Sequence, residues 1–322
     1  MQQIPVHQFL TREERRDLLQ KNDWRAAFEI FQTWFWIAVA FALVYVWPNV
    51  LTVIVALFIL GGKQLACAII MHDTSHRSMF SNPRVNDWVG KWLGAYPIFN
   101  DMLRYRPYHI QHHLHTGLEA DPDLLLTKGY PAGQKSMIRK WIRDLSGRTG
   151  LRGQIGLFLM HIDYLQYNLG NKVERHLKAG DWKHHLRSAV RHLPGPILAN
   201  AILFGIFWLI GAPWLYLLWV GALITTFQFS TRVRSIAEHA MSDQPTDPLH
   251  NTRTTYANWL ERMLFAPHHV NYHMEHHLLM TVPSYNLPRM HRLLLQKGFY
   301  EKYSMLERGY LPILRKAMSS SH

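Results

Sequence analysis

Cysteine is almost missing from this chain of 322 residues, with Cys67 the single example. An internal disulfide framework, a cysteine-based zinc site and an iron–sulfur cluster are therefore excluded, and a reducing compartment is compatible with the count. Charge is also scarce: Asp, Glu, Lys and Arg make up 18% of the residues, against roughly 25% in a typical soluble domain. With a hydrophobic share of 48%, disordered, collagen-like and coiled-coil chains are excluded. Acids are the poorer class of charge, 22 carboxylates facing 35 Lys and Arg for a formal excess of +13. Length alone would suggest about two domains. No internal repeat is visible, and the short serine tail is the only biased tract.

What is present is apolar sequence in blocks. Ile30–Trp47 carries no charge, and after Pro48-Asn49 the run Val50–Met71 carries only Lys63. Ile197–Ile210 and Trp214–Phe229 are uncharged and are separated by Gly211-Ala212-Pro213, which is turn chemistry. A helix crosses a bilayer with about 20 apolar residues; the first two runs suffice, and the last two do so only with their flanks. A buried core helix is the alternative for any one run. Their arrangement as two hairpins favours spans at 30–47, 50–70, 197–210 and 213–229. Every Lys and Arg except Lys63 then falls in 1–29, 71–196 or 230–322, which the positive-inside rule assigns to the cytoplasm together with both termini. Lys63 is expected to snorkel toward that interface.

The fold expected is an all-α integral membrane protein, one unit over 1–322. It comprises an N-terminal segment 1–29, hairpin 30–70, a cytosolic helical cap 71–196, hairpin 197–229 and a C-terminal segment 230–322. Met1–Arg25 lacks the apolar core of a signal peptide. Trp34, Trp36, Trp47, Trp208, Trp214 and Trp219 fall where an aromatic belt would. The basic excess is dispersed and accompanied by no nucleic-acid motif, so anionic headgroups and an acidic redox partner account for it better than nucleic acid.

None of the 21 histidines lies in these spans. His72 and His76 form an HxxxH; His109, His112 and His113 form an HxxHH; His273, His276 and His277 form another. Helical residues three or four apart share a face, so each box can send imidazoles to one metal or to two adjacent ones. Eight imidazoles exceed a tetrahedral zinc site and suggest two metals, though imidazole alone does not select iron over zinc, copper or nickel. His161, His176, His184, His185 and His192 sit among basic residues and read as surface histidines, and His7, His250 and His322 have no assigned role. Beside the boxes, Asp73, Asp121, Asp123, Glu238 and Glu275 are candidates to orient ligating rings, with Asp121 and Asp123 equally readable as turn residues. No nucleophile or general base is apparent. Trp88, Trp92, Tyr96 and Phe99 are candidate lining for a substrate tunnel or an interfacial helix.

The stretches HDTSHRSMFSNPRVNDWVG, YRPYHIQHHLHTGLEADPD and NYHMEHHLLMTVPSYNLPRMH give the chain a resemblance to the membrane fatty acid desaturase and hydroxylase family, from the first hairpin to about His291. The resemblance implies a four-helix stem under a cytosolic cap and a histidine-rich di-iron centre that activates dioxygen against an unactivated C–H bond. Carried over by motif, the ligands are His72, His76, His109, His112, His113, His273, His276 and His277. A ninth, from the segment after the last span, matches His239, while His115 and His269 fall outside the pattern and are expected to support the ligands rather than bind metal. Stearoyl-CoA desaturases carry asparagine four residues before that ninth histidine, where this chain has Ser235. The box spacing resembles desaturases more than alkane hydroxylases. The reading is a lipid desaturase supplied by a separate ferredoxin- or rubredoxin-like donor and its reductase, with hydroxylation of an alkyl substrate as the alternative. A metal transporter would need ionisable residues within the spans, and a zinc hydrolase a general base.

Overall fold

The computed structural model describes residues 6–170, 172–303 and 305–319; His322 lies outside them. Helices dominate. Thr11 caps α1 (Arg12–Leu18) in a reciprocal exchange with Glu14, and Asn22 caps α2 (Asp23–Val46). A turn at Pro48 and Asn49 leads into α3 (Val50–Ser75), where Asn49 and Thr52 bond each other's backbone amides. That reciprocal cap satisfies orphan amides where a helix starts, so the hairpin turns within a few residues. Next come α4 (Pro83–Val89), a π-helical stretch Gly90–Ala95, α5 (Met102–His115), α6 (Leu124–Thr127), α7 (Gln134–Leu145), α8 (Arg148–His161) and α9 (Trp182–His192). After them follow α10 (Pro194–Leu209), α11 (Leu215–Ile224), α12 (Thr226–His239), α13 (Trp259–Leu264), α14 (His273–Leu278), α15 (Leu287–Gln296), α16 (Phe299–Lys302) and α17 (Tyr310–Ala317). Two short parallel strands, β1 (Thr254–Tyr256) and β2 (Leu306–Arg308), tie the C-terminal segment together.

Helices α2 and α3 are each long and apolar enough to cross a membrane; α9 and α10, bent by 45° between them, form a third candidate when taken together. The fourth sequence run is broken rather than continuous. Its helix stops at Thr225, whose φ and ψ of −116° and −88° leave the helical region and separate α11 from α12. At 16 and 10 residues, α10 and α11 are each shorter than a full crossing. Large apolar side chains nevertheless stand exposed along this part of the molecule, among them Phe31, Phe35, Leu51, Ile54, Ile202, Ile206 and Leu217. A water-soluble protein rarely exposes so large an apolar surface, whereas lipid tails cover it without cost.

Helix α3 is the central post. Gly61 lets it approach the start of α12 so closely that a Cβ there would meet the Phe227 backbone nitrogen at 2.7 Å, the small-residue contact by which membrane helices pack. Gln64 donates to the Trp219 carbonyl at 2.8 Å and the buried Trp219 indole donates to the Pro97 carbonyl at 3.0 Å, which locks α11 against α3 and the loop before α5. Lys63 is 8% exposed and does not snorkel: midway along the most enclosed helix, its stem is surrounded by protein.

Candidate metal centre

Four elements end at one place. The last turn of α3 brings His72 and His76; α5 brings His109, His112 and His113; the last residue of α12 is His239; and the short α14 brings His273, His276 and His277. Arg106 fixes α5 against α3 by donating to the Ser75 carbonyl at 2.9 Å and to Asp87 at 2.6 Å. These nine rings fall into two groups, His72, His76, His109, His113 and His276 in one and His112, His239, His273 and His277 in the other, with donor atoms within 4.8 Å of one another in each.

Helical spacing explains the division. In an HxxHH box the first histidine shares a face with both of the others, three and four residues on, while those two adjacent residues stand about 100° apart around the axis, so that one box can reach two groups. In α5 the outer pair His109 and His113 enters the first group and His112 the second; in α14 the outer pair His273 and His277 enters the second and His276 the first. The boxes therefore cross over, and the groups adjoin: the rings of His113 and His277 are 4.2 Å apart.

The donor chemistry fits cations. Nε2 of His113 lies 3.0 Å from Nε2 of His109 and 3.1 Å from that of His276, and Nε2 of His239 lies 2.8 Å from that of His273. Nε2 of His72, His76 and His277 is buried without a hydrogen-bond partner. Nitrogens brought together in this way leave lone pairs that a cation among them would satisfy, since unpartnered buried polar atoms are otherwise costly. Burial pushes His76 and His239 down to about 3, helped by the charges of Arg106 and His112 respectively. His109, His113, His273, His276 and His277 are also held well below the ordinary imidazole range, by burial first and by neighbouring imidazoles next. The rings are thus in the neutral form that coordinates metals.

His112 is the exception. Burial pushes it down, but the hydrogen bond to Asp121 and the charges of Asp121, Asp123 and Glu238 raise it above the usual value. Asp121 accepts from its Nδ1 at 2.9 Å, Asp73 from Nδ1 of His72 at 2.7 Å, and the Asn251 carbonyl from Nδ1 of His239 at 3.2 Å. Each contact turns Nε2 toward the centre and fixes its tautomer. Burial raises Glu238 to about 7 against the pull of Arg234, which it pairs with at 2.6 Å; its carboxylate is 3.6 Å from Nδ1 of His273.

Glu275 departs from the sequence expectation. Although it lies between box histidines, its carboxylate is bonded by Thr254, His291 and Tyr300, because α14 turns that face toward β1 and α15. It anchors the box helix instead of orienting a box ring. Asp123 accepts from Tyr108 and lies 3.7 Å from His112. His115 is partly exposed on the far side of α5, bonded to the Gln111 carbonyl at 3.1 Å.

A cavity of about 690 Å³ opens against the centre, with His109, His112, His239 and His273 at its inner end. Leu65, Ala68, Met71, Ile98 and Tyr105 line its apolar part, and Lys140, Arg143, Arg148, Arg152 and Lys172 its outer part. Trp88, Trp92, Tyr96 and Phe99 are not in this wall. Trp88 is exposed, and the Tyr96 ring lies so close to Gly195 that a Cβ there would meet its Cζ at 2.4 Å, so this aromatic segment serves packing against α10. Tyr105, stacked on His109 at 5.1 Å, and the half-buried Arg234 were missed by sequence reasoning; the Arg234–Glu238 spacing of four was the available signal.

The fatty acid desaturase family model matches residues 45–309, and the chain belongs to that family. It is 27% identical over 259 residues to the dihydrorhizobitoxine desaturase of Bradyrhizobium elkanii, covering 77% of this chain and 69% of the relative. It is also 27% identical over 242 residues to an sn-1 oleoyl-lipid 12-desaturase of Synechocystis sp., covering 72% and 65%. A further sn-1 oleoyl-lipid 12-desaturase, from Arthrospira platensis, is 27% identical over 271 residues, covering 79% and 69%. The chain thus spans about two thirds of the length of these relatives. Membership makes it an oxidoreductase and, with helices α2 and α3, an integral membrane protein.

Proposed function

We propose that this protein is a dioxygen-dependent desaturase that removes two hydrogens from the alkyl chain of a lipid at a di-iron centre. The observation that carries the reading is the convergence of nine imidazoles in two adjoining groups beside a cavity with an apolar part, which four of them line. His72, His76, His109, His113 and His276 would hold one iron and His112, His239, His273 and His277 the other. Irons held there would activate dioxygen, which takes up the two hydrogens of the alkyl chain together with two electrons from a separate ferredoxin- or rubredoxin-like donor and its reductase and two protons, and leaves as two waters.

The chain's own residues then have definite tasks. Asp73, Asp121 and the Asn251 carbonyl keep Nε2 of His72, His112 and His239 aimed inward by accepting from Nδ1. Leu65, Ala68, Ile98 and Tyr105 give an alkyl chain an apolar bed and keep water from it. At the outer part, five Lys and Arg side chains suit a substrate whose polar end is anionic. Glu275, through Thr254, His291 and Tyr300, holds α14 so that its histidines divide between the groups.

The topology follows from the same charge distribution. Four membrane passes in two hairpins place residues 1–29, 71–196 and 230–322, with both termini and the metal centre, on the cytoplasmic side as one unit over 1–322. The second hairpin is completed by the flanks of α10 and α11, and the break at Thr225 is covered by α8, whose Gly150 would bring a Cβ to 2.2 Å from the Ile224 carbonyl oxygen. Mass spectrometry of lipids from cells with and without the gene tests the reaction. A product lighter by two hydrogens supports desaturation, and one heavier by a single oxygen overturns it in favour of hydroxylation.

A further inference from the structure

Away from the centre, the chain between α8 and α9 forms a small antiparallel hairpin around the bridge Leu165–Arg175, with the Gln166 amide donating to the Glu174 carbonyl at 2.9 Å and the His176 amide to the Tyr164 carbonyl at 3.1 Å. Just outside it Asp163 takes a φ of +56°, a left-handed conformation uncommon for a residue other than glycine. This turn directs Asp163 at the start of α9. There its Oδ2 lies 3.0 Å from Nε2 of His184, and a donor atom of His176 lies within 4.8 Å of both. The rings of His176 and His184 are stacked, 11° from parallel with centroids 5.3 Å apart.

We propose that Asp163, His176 and His184 form a third metal site, for zinc or a similar divalent transition metal, that staples this hairpin to α9. Two imidazoles and a carboxylate are a donor set that zinc accepts, leaving a fourth position for water. Nε2 of His184 is buried and forms no well-directed hydrogen bond. The other ring nitrogen contact is weak: Nδ1 of His176 accepts from the Lys178 amide at 3.2 Å, so a cation competes with one long hydrogen bond for that lone pair. Arg104 holds the remaining oxygen of Asp163 at 2.7 Å and donates to Ser188 at 2.7 Å, which aims the carboxylate as partners of metal ligands do. The hairpin contributes Asn168, Leu169, Lys172 and Val173 to the cavity wall, so the staple would fix that wall without touching the nine central histidines.

The test uses the full-length, iron-loaded protein in detergent, incubated with zinc chloride and freed of unbound metal by gel filtration. Elemental mass spectrometry should find one zinc per chain in the wild type, at least fivefold less in His176→Ala and in His184→Ala, and no further loss in the double variant. Iron should be unchanged throughout. His185→Ala, whose ring bonds the Ile162 carbonyl at 2.7 Å, should keep the zinc and so exclude general damage to α9. Equal zinc in the wild type and the double variant overturns the proposal. So do partial losses in the single variants that add, since they describe independent surface histidines. A second measurement needs no variant: cobalt(II) added to the iron-loaded wild type should give visible absorption that zinc abolishes, and no zinc-sensitive absorption overturns the site.

Discussion

The two central histidine groups are built from the same boxes but live in different electrostatic surroundings. The first group, His72, His76, His109, His113 and His276, has five imidazoles and one carboxylate in direct contact, Asp73 on His72. The second, His112, His239, His273 and His277, has four imidazoles with Asp121, Asp123 and Glu238 within 4 Å of its rings. Three of its members also line the cavity, against only His109 from the first group. Carboxylates near ligands favour the cationic state of a site, so the second group is the better host for charge next to substrate, and the first is nearly all neutral donors. Two sites of unequal electron demand differ in metal affinity and in how strongly each responds to loss of a neighbour.

The largest effect should come from the ring that joins them. His113 is 3.1 Å from His276 in its own group and its ring is 4.2 Å from that of His277 in the other. Replacing it by Ala should abolish turnover and remove more than half of the bound iron, while His115→Ala, on the exposed side of the same helix, should leave both unchanged. Iron per chain and product yield are the measurements. Full activity in His113→Ala would dissolve the division into two groups.

Next in size are the orienting carboxylates, which separate the groups chemically. Losing such a partner typically costs about 10–100-fold in metal affinity or activity. Asp121→Asn should weaken the iron at the second group selectively, because Asp121 serves His112 alone, whereas Asp73→Asn should weaken the first through His72. Chelator titration of each variant should show one weakened iron and one of wild-type affinity. Loss of both irons together in both variants would show the groups to be one cooperative site.

Acid sharpens the contrast in the metal-free protein. His76 and His239 stand at about 3 when folded and near 6.5 when unfolded, so between these values the unfolded chain binds more protons. Stability of the chelator-treated protein should therefore fall as pH drops from about 6.5 toward 3, by up to roughly 1.4 kcal/mol per pH unit for each such histidine. His112 acts oppositely, since its folded value is raised: its contribution is present in full below the unfolded value and fades as pH rises through the folded one. Thermal melting against pH should show the fall below about pH 6.5, with the loss of the His112 contribution confined to the alkaline side of that value. A flat profile would mean that the rings are solvated in the metal-free state.

Much of this was legible because coordination chemistry writes itself into spacing. The box histidines were visible as motifs, and four-residue separations on a helix have one geometrical meaning. The crossing of boxes between groups was not, because it depends on how α5 and α14 are rotated toward each other, which tertiary packing decides. Glu275 shows the same limit: adjacency in sequence placed it among ligands, whereas α14 turns its side chain to His291 and Tyr300. His176 and His184 looked like surface residues since no motif spacing joins them to each other or to Asp163; a left-handed turn and a hairpin do. The break at Thr225 is likewise hidden in an unbroken apolar run, for apolar residues record burial or lipid contact and not helix continuity.

The smallest effect tests whether the cavity belongs to the second group's chemistry. Gly156 in α8 lines the cavity, and a Cβ there would meet nothing within 4 Å, so a larger side chain can be accommodated without straining the backbone. Gly156→Leu also removes a helix-interior glycine, a change worth up to about 1 kcal/mol in helix stability, so lost activity could not be blamed on unfolding. Its added atoms project into the path of substrate and leave every histidine in place. The expected outcome is a KM raised about three- to tenfold, or 1 kcal/mol or so of lost binding, with kcat within a factor of two and iron unchanged. Were kcat to fall as far as KM rises, the side chain would be disturbing the centre itself. Unchanged kinetics would place the substrate's route elsewhere and leave the second group without its claim to be the face that meets the alkyl chain.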